Sequence, residues 1–256
     1  MHLWRVPLTG STAQEALALA PRVLAPDELA RAARLLTDVD RRRWTAARVA
    51  LRAVLAHCTG TPPDRVTLAY GRHGKPRLPG PGRGALRFSL THSRDLALLA
   101  VCRGAPVGAD LEHLTAGPPG PGDLDDLAAA VLAPPELRAY RLLPPELRRA
   151  ALLRRWTGKE AVLKATGRGV TVAAARRVVV PDGSGTPRGL PGHWTLLRPS
   201  PGGPFTAAVA VLGKDWTVVR TDFTGVTPEG RARAAAHVVR HRPALSGTGG
   251  AAARHG

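Results

Sequence analysis

Two short stretches hold residue types whose spacing could do chemistry: Gly108-Ala-Asp110-Leu-Glu112, and Trp156-Thr-Gly-Lys159-Glu160-Ala-Val-Leu-Lys164. The first lies in an apolar run, so on a strand Asp110 and Glu112 point to one side. The second spaces Glu160 and Lys164 four apart, on one face of a helix. Three carboxylates with an ammonium nearby are the parts needed to hold a hard divalent cation against a diphosphate. Each stretch taken alone also has a plainer meaning. Asp-x-Glu can end a strand with its acids in water, and a Glu–Lys pair on a wet helix face contributes only about 0.2–0.5 kcal/mol.

Two further motifs carry polar groups at turns. His92 lies in Phe88-Ser-Leu-Thr91-His92-Ser93, placed between two strands; it is either a hydrogen-bonded structural residue or a donor to a phosphate oxygen, helped by Thr91 or Ser93. Gly74-Lys75-Pro76 follows a strand and opens a turn, where backbone amides and a lysine can cradle a phosphate or an adenine edge, or form a plain surface turn. It lacks the length and the Gly-Lys-Ser/Thr ending of a Walker loop. No Gly-x-Ser-x-Gly elbow occurs, so a serine triad has no support. The histidines and two cysteines lack zinc-ligand spacing, and Cys58 and Cys102 read as reduced, buried thiols. Only four lysines stand against 33 arginines, and three of them (Lys75, Lys159, Lys164) fall in these motifs, as though the site wants a compact ammonium.

The elements that must position these residues follow from periodicity. Residues 3–8 alternate as an opening strand, and residues 26–57 are helical with a break near Thr37-Asp-Val-Asp40. Strands follow at 66–70, 86–90 and 96–101, then at 107–111 with the carboxylate pair. Residues 117–122 read as a flexible Gly/Pro connector, and 124–166 as two or three helices started by Pro134-Pro135 and Pro144-Pro145. Gly167 is a natural C-cap. Strands are expected at 177–180, 194–197, 206–211 and 216–221, a short helix from Thr227, and disorder beyond Arg242. Each half offers a long arginine-bearing helix, a Gly-containing loop and two or three strands. This rhythm predicts an α+β fold of two similar lobes with a cleft between them, although the identity between halves does not prove duplication. The expected division is 1–103, 104–224 and a tail of helix and disordered chain over 225–256.

Composition bounds the partners. A chain of 256 residues suffices for one large domain or two smaller ones, and no run approaches eighteen apolar residues. It reads as soluble and cytoplasmic. The formal charge of +18 predicts an acidic or phosphate-bearing partner, while 4% aromatic residues leave little for base stacking. Alternatives of other classes are a basic nucleic-acid-binding protein and a magnesium-dependent nucleotide diphosphate hydrolase.

Taken in order, Gly74-Lys-Pro76, Phe88-Ser-Leu-Thr-His-Ser93, Val107-Gly-Ala-Asp-Leu-Glu112 and Trp156-Thr-Gly-Lys-Glu-Ala-Val-Leu-Lys164 resemble the 4′-phosphopantetheinyl transferases, specifically the two-lobed, monomeric, surfactin-synthetase-activating type. The resemblance covers roughly residues 3–222. It implies two α/β lobes related by a pseudo-twofold axis, meeting near residues 103–106 around coenzyme A. The implied reaction moves phosphopantetheine from coenzyme A to a serine of an apo carrier protein of a polyketide, nonribosomal peptide or fatty-acid synthase, releasing adenosine 3′,5′-bisphosphate. Asp110, Glu112 and Glu160 match magnesium ligands, and His92 and Lys164 match groups contacting the diphosphate. Thr91 and Ser93 flank that histidine, and Gly74, Lys75 and Pro76 match the adenine-side loop. Arg43 falls where the family contacts the 3′-phosphate. Family members often add lysines upstream; here only Arg31 and Arg34 are available there, and Arg48 or Arg52 could substitute. Glu160 is the chosen base for the serine hydroxyl. The carrier is expected to dock between Leu124 and Arg155, with neither nucleic acid nor membrane as partner.

Overall fold

The computed structural model describes residues 1–80, 85–115 and 121–238. In chain order the elements are β1 (His2–Pro7), α1 (Gly10–Val23), α2 (Pro26–Ala33), α3 (Asp38–Thr59), β2 (Ala69–Tyr70), β3 (Pro76–Arg77), β4 (Leu86–Ser93), β5 (Leu96–Arg103) and β6 (Val107–His113). There follow α4 (Pro121–Val131), α5 (Pro134–Arg141), α6 (Pro145–Thr166), α7 (Val172–Arg177), β7 (Trp194–Leu197), β8 (Phe205–Leu212), β9 (Val219–Val226) and β10 (Ala232–Val238).

The two halves share one topology. In the first, β1 pairs antiparallel with β5, which pairs antiparallel with β4; in the second, β6 pairs likewise with β8, and β8 with β7. The helices α3 and α6 are both 22 residues long and both end on a left-handed glycine, Gly60 (φ 74°) and Gly167 (φ 69°). Period-two alternation explains how the layers stack. Leu96, Leu98, Ala100 and Cys102 of β5 meet Val107, Ala109 and Leu111 of β6 in a core between the two sheets. The opposite faces bury against helices, α1 and α3 on one side and α4 and α6 on the other. That alternation leaves Gly108, Asp110 and Glu112 on the α6 face of β6.

The repeat extends to a buried charge cluster. Glu28 and Glu136 each accept from the backbone N–H three residues upstream, at Ala25 (3.0 Å) and Ala133 (2.9 Å), as reciprocal caps of α2 and α5. Each then receives a cation from the long helix: Arg52 Nε lies 2.5 Å from Glu28, and Lys159 Nζ lies 2.6 Å from Glu136. Arg52 and Lys159 occupy the same position in their helices, and each also donates to two carbonyls in and just after a short helix, Pro63 and Val66 around the 3-10 turn Pro63–Arg65, and Ala175 and Val178 around α7. The local sequences agree as well, Val23-Leu-Ala-Pro-Asp-Glu28-Leu29 against Val131-Leu-Ala-Pro-Pro-Glu136-Leu137.

Several expectations are corrected. Residues 10–23, unassigned from the sequence, form α1, whose buried face is mostly alanine and too weakly apolar to show as a stripe. Strand β4 runs through His92 to Ser93, and the turn is Arg94-Asp95, with Arg94 at φ 51°. Only Ala69–Tyr70 of the strand expected at 66–70 pairs. Residues 172–177 are helical because Thr171 caps the N–H of Ala174, so 177–180 supplies a single bridge, Val179 to Arg188, rather than a strand. Residues 219–224, expected in the second lobe, and 225–226, expected in the tail, return to the first sheet as β9, parallel to β1. Thr227 turns the chain into β10, which pairs with β9, instead of starting a helix. Within the expected connector, Pro121 and Gly122 open α4, while 117–120 and the tail beyond Arg242 lie outside the described residues.

Candidate functional site

The site forms where β6 and α6 of the second half meet β4 of the first. Helix α6 crosses β6 at Gly108, and the crossing demands that glycine: a Cβ there would stand 2.0 Å from the Ala161 carbonyl oxygen. This contact brings Asp110 beneath α6. Lys164 Nζ lies 2.5 Å from Asp110 Oδ1 and 2.9 Å from Glu160 Oε2, bridging the strand acid to the helix acid. The β4 edge is joined to β6 by hydroxyls at alternate positions. Ser89 Oγ accepts from Ala109 N (3.0 Å), Thr91 Oγ1 donates to Asp110 Oδ1 (3.2 Å), and Ser93 Oγ accepts from His113 N (3.2 Å). His92 alternates away from that seam and remains exposed.

The electrostatics are those of crowded acids. Asp110 is 2% exposed and its Oδ2 is buried with no partner. Burial pushes its carboxyl well above the usual range, Glu160 and Glu112 add to this, and Lys164 opposes. Glu112 is raised by burial and by Glu160, against Lys164 and a Ser93 hydrogen bond. Burial works against the Lys164 ammonium, yet Asp110 and Glu160 together hold its pKa above the ordinary lysine range. His92 is held below the usual imidazole range by desolvation and by Lys164 and Arg43, with Asp40 opposing.

Among the described residues no three acidic, histidine or cysteine side chains stand close enough to hold a metal ion, for the Lys164 ammonium lies between Asp110 and Glu160. The donor set nonetheless suits a hard cation: Glu160 and Glu112 raise the pKa of Asp110, Glu160 raises that of Glu112, and one buried carboxylate oxygen lacks any partner.

The remaining candidates divide. Lys75, from the loop between β2 and β3, sends its ammonium to the carbonyls of Val107 (2.8 Å) and Lys164 (2.6 Å), tying the loop to the first residue of β6 and the last turn of α6. Burial, with Arg87, lowers its pKa to about 8. The loop walls two adjoining cavities of about 320 and 400 Å³, which share His73, Lys75, Pro76, Phe88 and Gly167; Gly74 and Lys164 line the larger. His73, not singled out from the sequence, packs against Gly169, where a Cβ would stand 3.0 Å from the ring. Arg43 donates from Nε (3.0 Å) and Nη2 (2.5 Å) to Asp95 Oδ1 in the β4–β5 turn. Arg48 and Arg52 are corrected: both are buried against Glu28, which excludes them from a ligand's phosphate, whereas Arg31 and Arg34 are exposed. Lys159, 0% exposed, belongs to the second charge cluster rather than to the site.

Comparisons with known proteins agree with one another. The family model described as "4'-phosphopantetheinyl transferase, N-terminal" matches residues 11–103, and that of the "4'-phosphopantetheinyl transferase superfamily" matches 106–198. The chain is 37% identical over 217 residues to the 4'-phosphopantetheinyl transferase HetI of Nostoc sp., covering 84% of this chain and 89% of that protein. It is 33% identical over 160 residues to a putative 4'-phosphopantetheinyl transferase of Synechocystis sp., covering 62% and 63%. A phosphopantetheinyl transferase of Thraustochytrium sp. is 30% identical over 155 residues, covering 57% and 54%.

Proposed function

Because the chain belongs to the 4′-phosphopantetheinyl transferase superfamily, in its two-domain form, and is therefore a transferase, we propose that it moves phosphopantetheine from coenzyme A to a serine of an apo carrier protein. The observation that carries this reading is Asp110, buried, with one oxygen on Lys164 and the other without a partner, facing Glu160 across two elements.

The residues then take the following roles. Asp110, Glu112 and Glu160 would hold magnesium, which when bound would neutralise the diphosphate and make the β-phosphorus more electrophilic. The serine oxygen attacks that phosphorus while the bond to the bridging oxygen breaks, and the electron pair leaves on adenosine 3′,5′-bisphosphate. Glu160 takes the serine proton. Lys164 and His92 stabilise charge on the leaving group, and the cation remains preorganised because Asp110 and Glu160 hold it. Thr91 keeps Asp110 in place. Ser93 does the same for β6 by accepting from His113 N. Gly74, Lys75 and Pro76 present backbone to the adenine, since the Lys75 ammonium is already committed to carbonyls. Arg43 reaches the 3′-phosphate by exchanging or sharing its bond to Asp95. The enzyme works as a cytoplasmic monomer.

Incubation with coenzyme A, magnesium and a panel of apo carriers from fatty-acid, polyketide and nonribosomal peptide systems tests this. A phosphopantetheine-sized gain in carrier mass is expected. Release of the bisphosphate without any carrier would instead identify a hydrolase.

A further inference from the structure

The shared topology of the two halves gives Asp110, Glu160 and Lys164 each a counterpart. Aligned through β5 and β8, Asp110 corresponds to Trp4: Trp4 pairs with Leu99 and Asp110 with Ala208, each the fourth residue of its partner strand. Aligned through their starts, α6 and α3 match Glu160 with Ala53 and Lys164 with His57. The contact is kept as well. The Trp4 and His57 rings meet edge-on at 5.9 Å, where Asp110 meets Lys164 in the other half.

A cavity of about 420 Å³ stands at this counterpart position, lined by His2, Trp4, His57, Arg103 and Trp216 among others. Among the described residues no carboxylate lines it, so it lacks the acid cluster that marks the other half. Its lining residues carry the His2 and His57 imidazoles, the Arg103 guanidinium, the Cys58 and Cys102 thiols, and the Met1 ammonium, which donates to Thr217 O (3.0 Å). The buried indole N–H of Trp4 has no partner. At the rim, Trp216 is half-buried and hydrogen-bonded through Nε1 to Leu212 O (3.2 Å), which fixes its ring.

We propose that this cavity is a second, non-catalytic binding site for a phosphate-bearing aromatic ligand of nucleotide type. Arg103 and the two histidines take the phosphate. The Trp216 ring takes the base, a stacking surface indifferent to sequence. The inference rests on the internal repeat and this cavity's lining, and stands whether or not the other cleft takes coenzyme A.

Adenosine monophosphate is a suitable probe, read by the indole N–H resonances of the protein's five tryptophans. Trp4→Phe and Trp216→Phe assign their two signals. Titration is expected to shift both signals together. Arg103→Ala should weaken that response at least tenfold and His57→Gln at least threefold, while both variants keep wild-type transferase activity. Inorganic phosphate alone should bind at least tenfold more weakly. Unmoved Trp4 and Trp216 signals would overturn the proposal. So would an undiminished response in Arg103→Ala, or phosphate binding as tightly as the nucleotide.

Discussion

Asp110 shows what one residue's surroundings do to its role. An aspartate at 2% exposure with one unpartnered oxygen is costly unless a cation is available. Asp110→Asn should cut transfer by at least about a hundredfold, a loss near 2.7 kcal/mol of transition-state stabilisation, while circular dichroism stays unchanged. Lys75 gives the pH dependence. Its folded pKa, about 8, lies below its ordinary 10.5. Between those values the unfolded chain binds the extra proton, so rising pH stabilises the fold there. The stability of wild type relative to Lys75→Met should therefore grow between pH 8 and 10, by about 1–3 kcal/mol, as measured by urea unfolding at each pH. A flat or falling difference would show that the ammonium is not buried as described.

At the scale of elements, the site depends on one helix crossing one strand. Gly108→Ala forces a methyl into the α6 backbone and should cost about 3 kcal/mol or more, seen as a lower urea midpoint with an unchanged slope. The buried clusters predict a matched pair: Glu28→Gln takes the carboxylate from Arg48 and Arg52, Glu136→Gln takes it from Lys159, and each should cost about 3–5 kcal/mol. Equal effects in the two halves would show that the clusters are structural equivalents. Much of this scale was legible in the sequence. The alternation of Asp110 and Glu112 and the spacing of Glu160 and Lys164 placed the acids on facing surfaces. What was not legible depended on long-range partners. Arg48 and Arg52 looked available because Glu28, their partner, lies twenty or more residues away. Lys159 looked like part of the site because it adjoins Glu160, yet its helical position turns it to Glu136. The repeated Val-Leu-Ala-Pro-x-Glu-Leu was the available signal for both clusters.

The whole molecule explains why so much positive charge coexists with an acidic site. The two halves place their carboxylate-bearing and carboxylate-free clefts at equivalent positions. The last strands, β9 and β10, return to the first sheet and so tie the end of the described chain to its beginning. Among the described residues no helix is long and apolar enough to cross a membrane. A net charge of +18 should draw acidic carriers by long-range attraction. Raising sodium chloride from 50 to 500 mM is therefore expected to lower kcat/KM for an acidic carrier about tenfold, chiefly through KM. A salt-independent KM would contradict electrostatic capture.

On the proposed function, Asp110 and Glu112 of β6 and Glu160 of α6 make transfer depend on a divalent cation. The most direct measurement is the intact-mass time course of one responsive apo carrier with coenzyme A, run with magnesium, with chelator, and with Glu160→Gln protein in magnesium. Full conversion is expected in the first reaction and unmodified carrier in the other two. Conversion at a comparable rate with chelator or with Glu160→Gln would contradict that expectation.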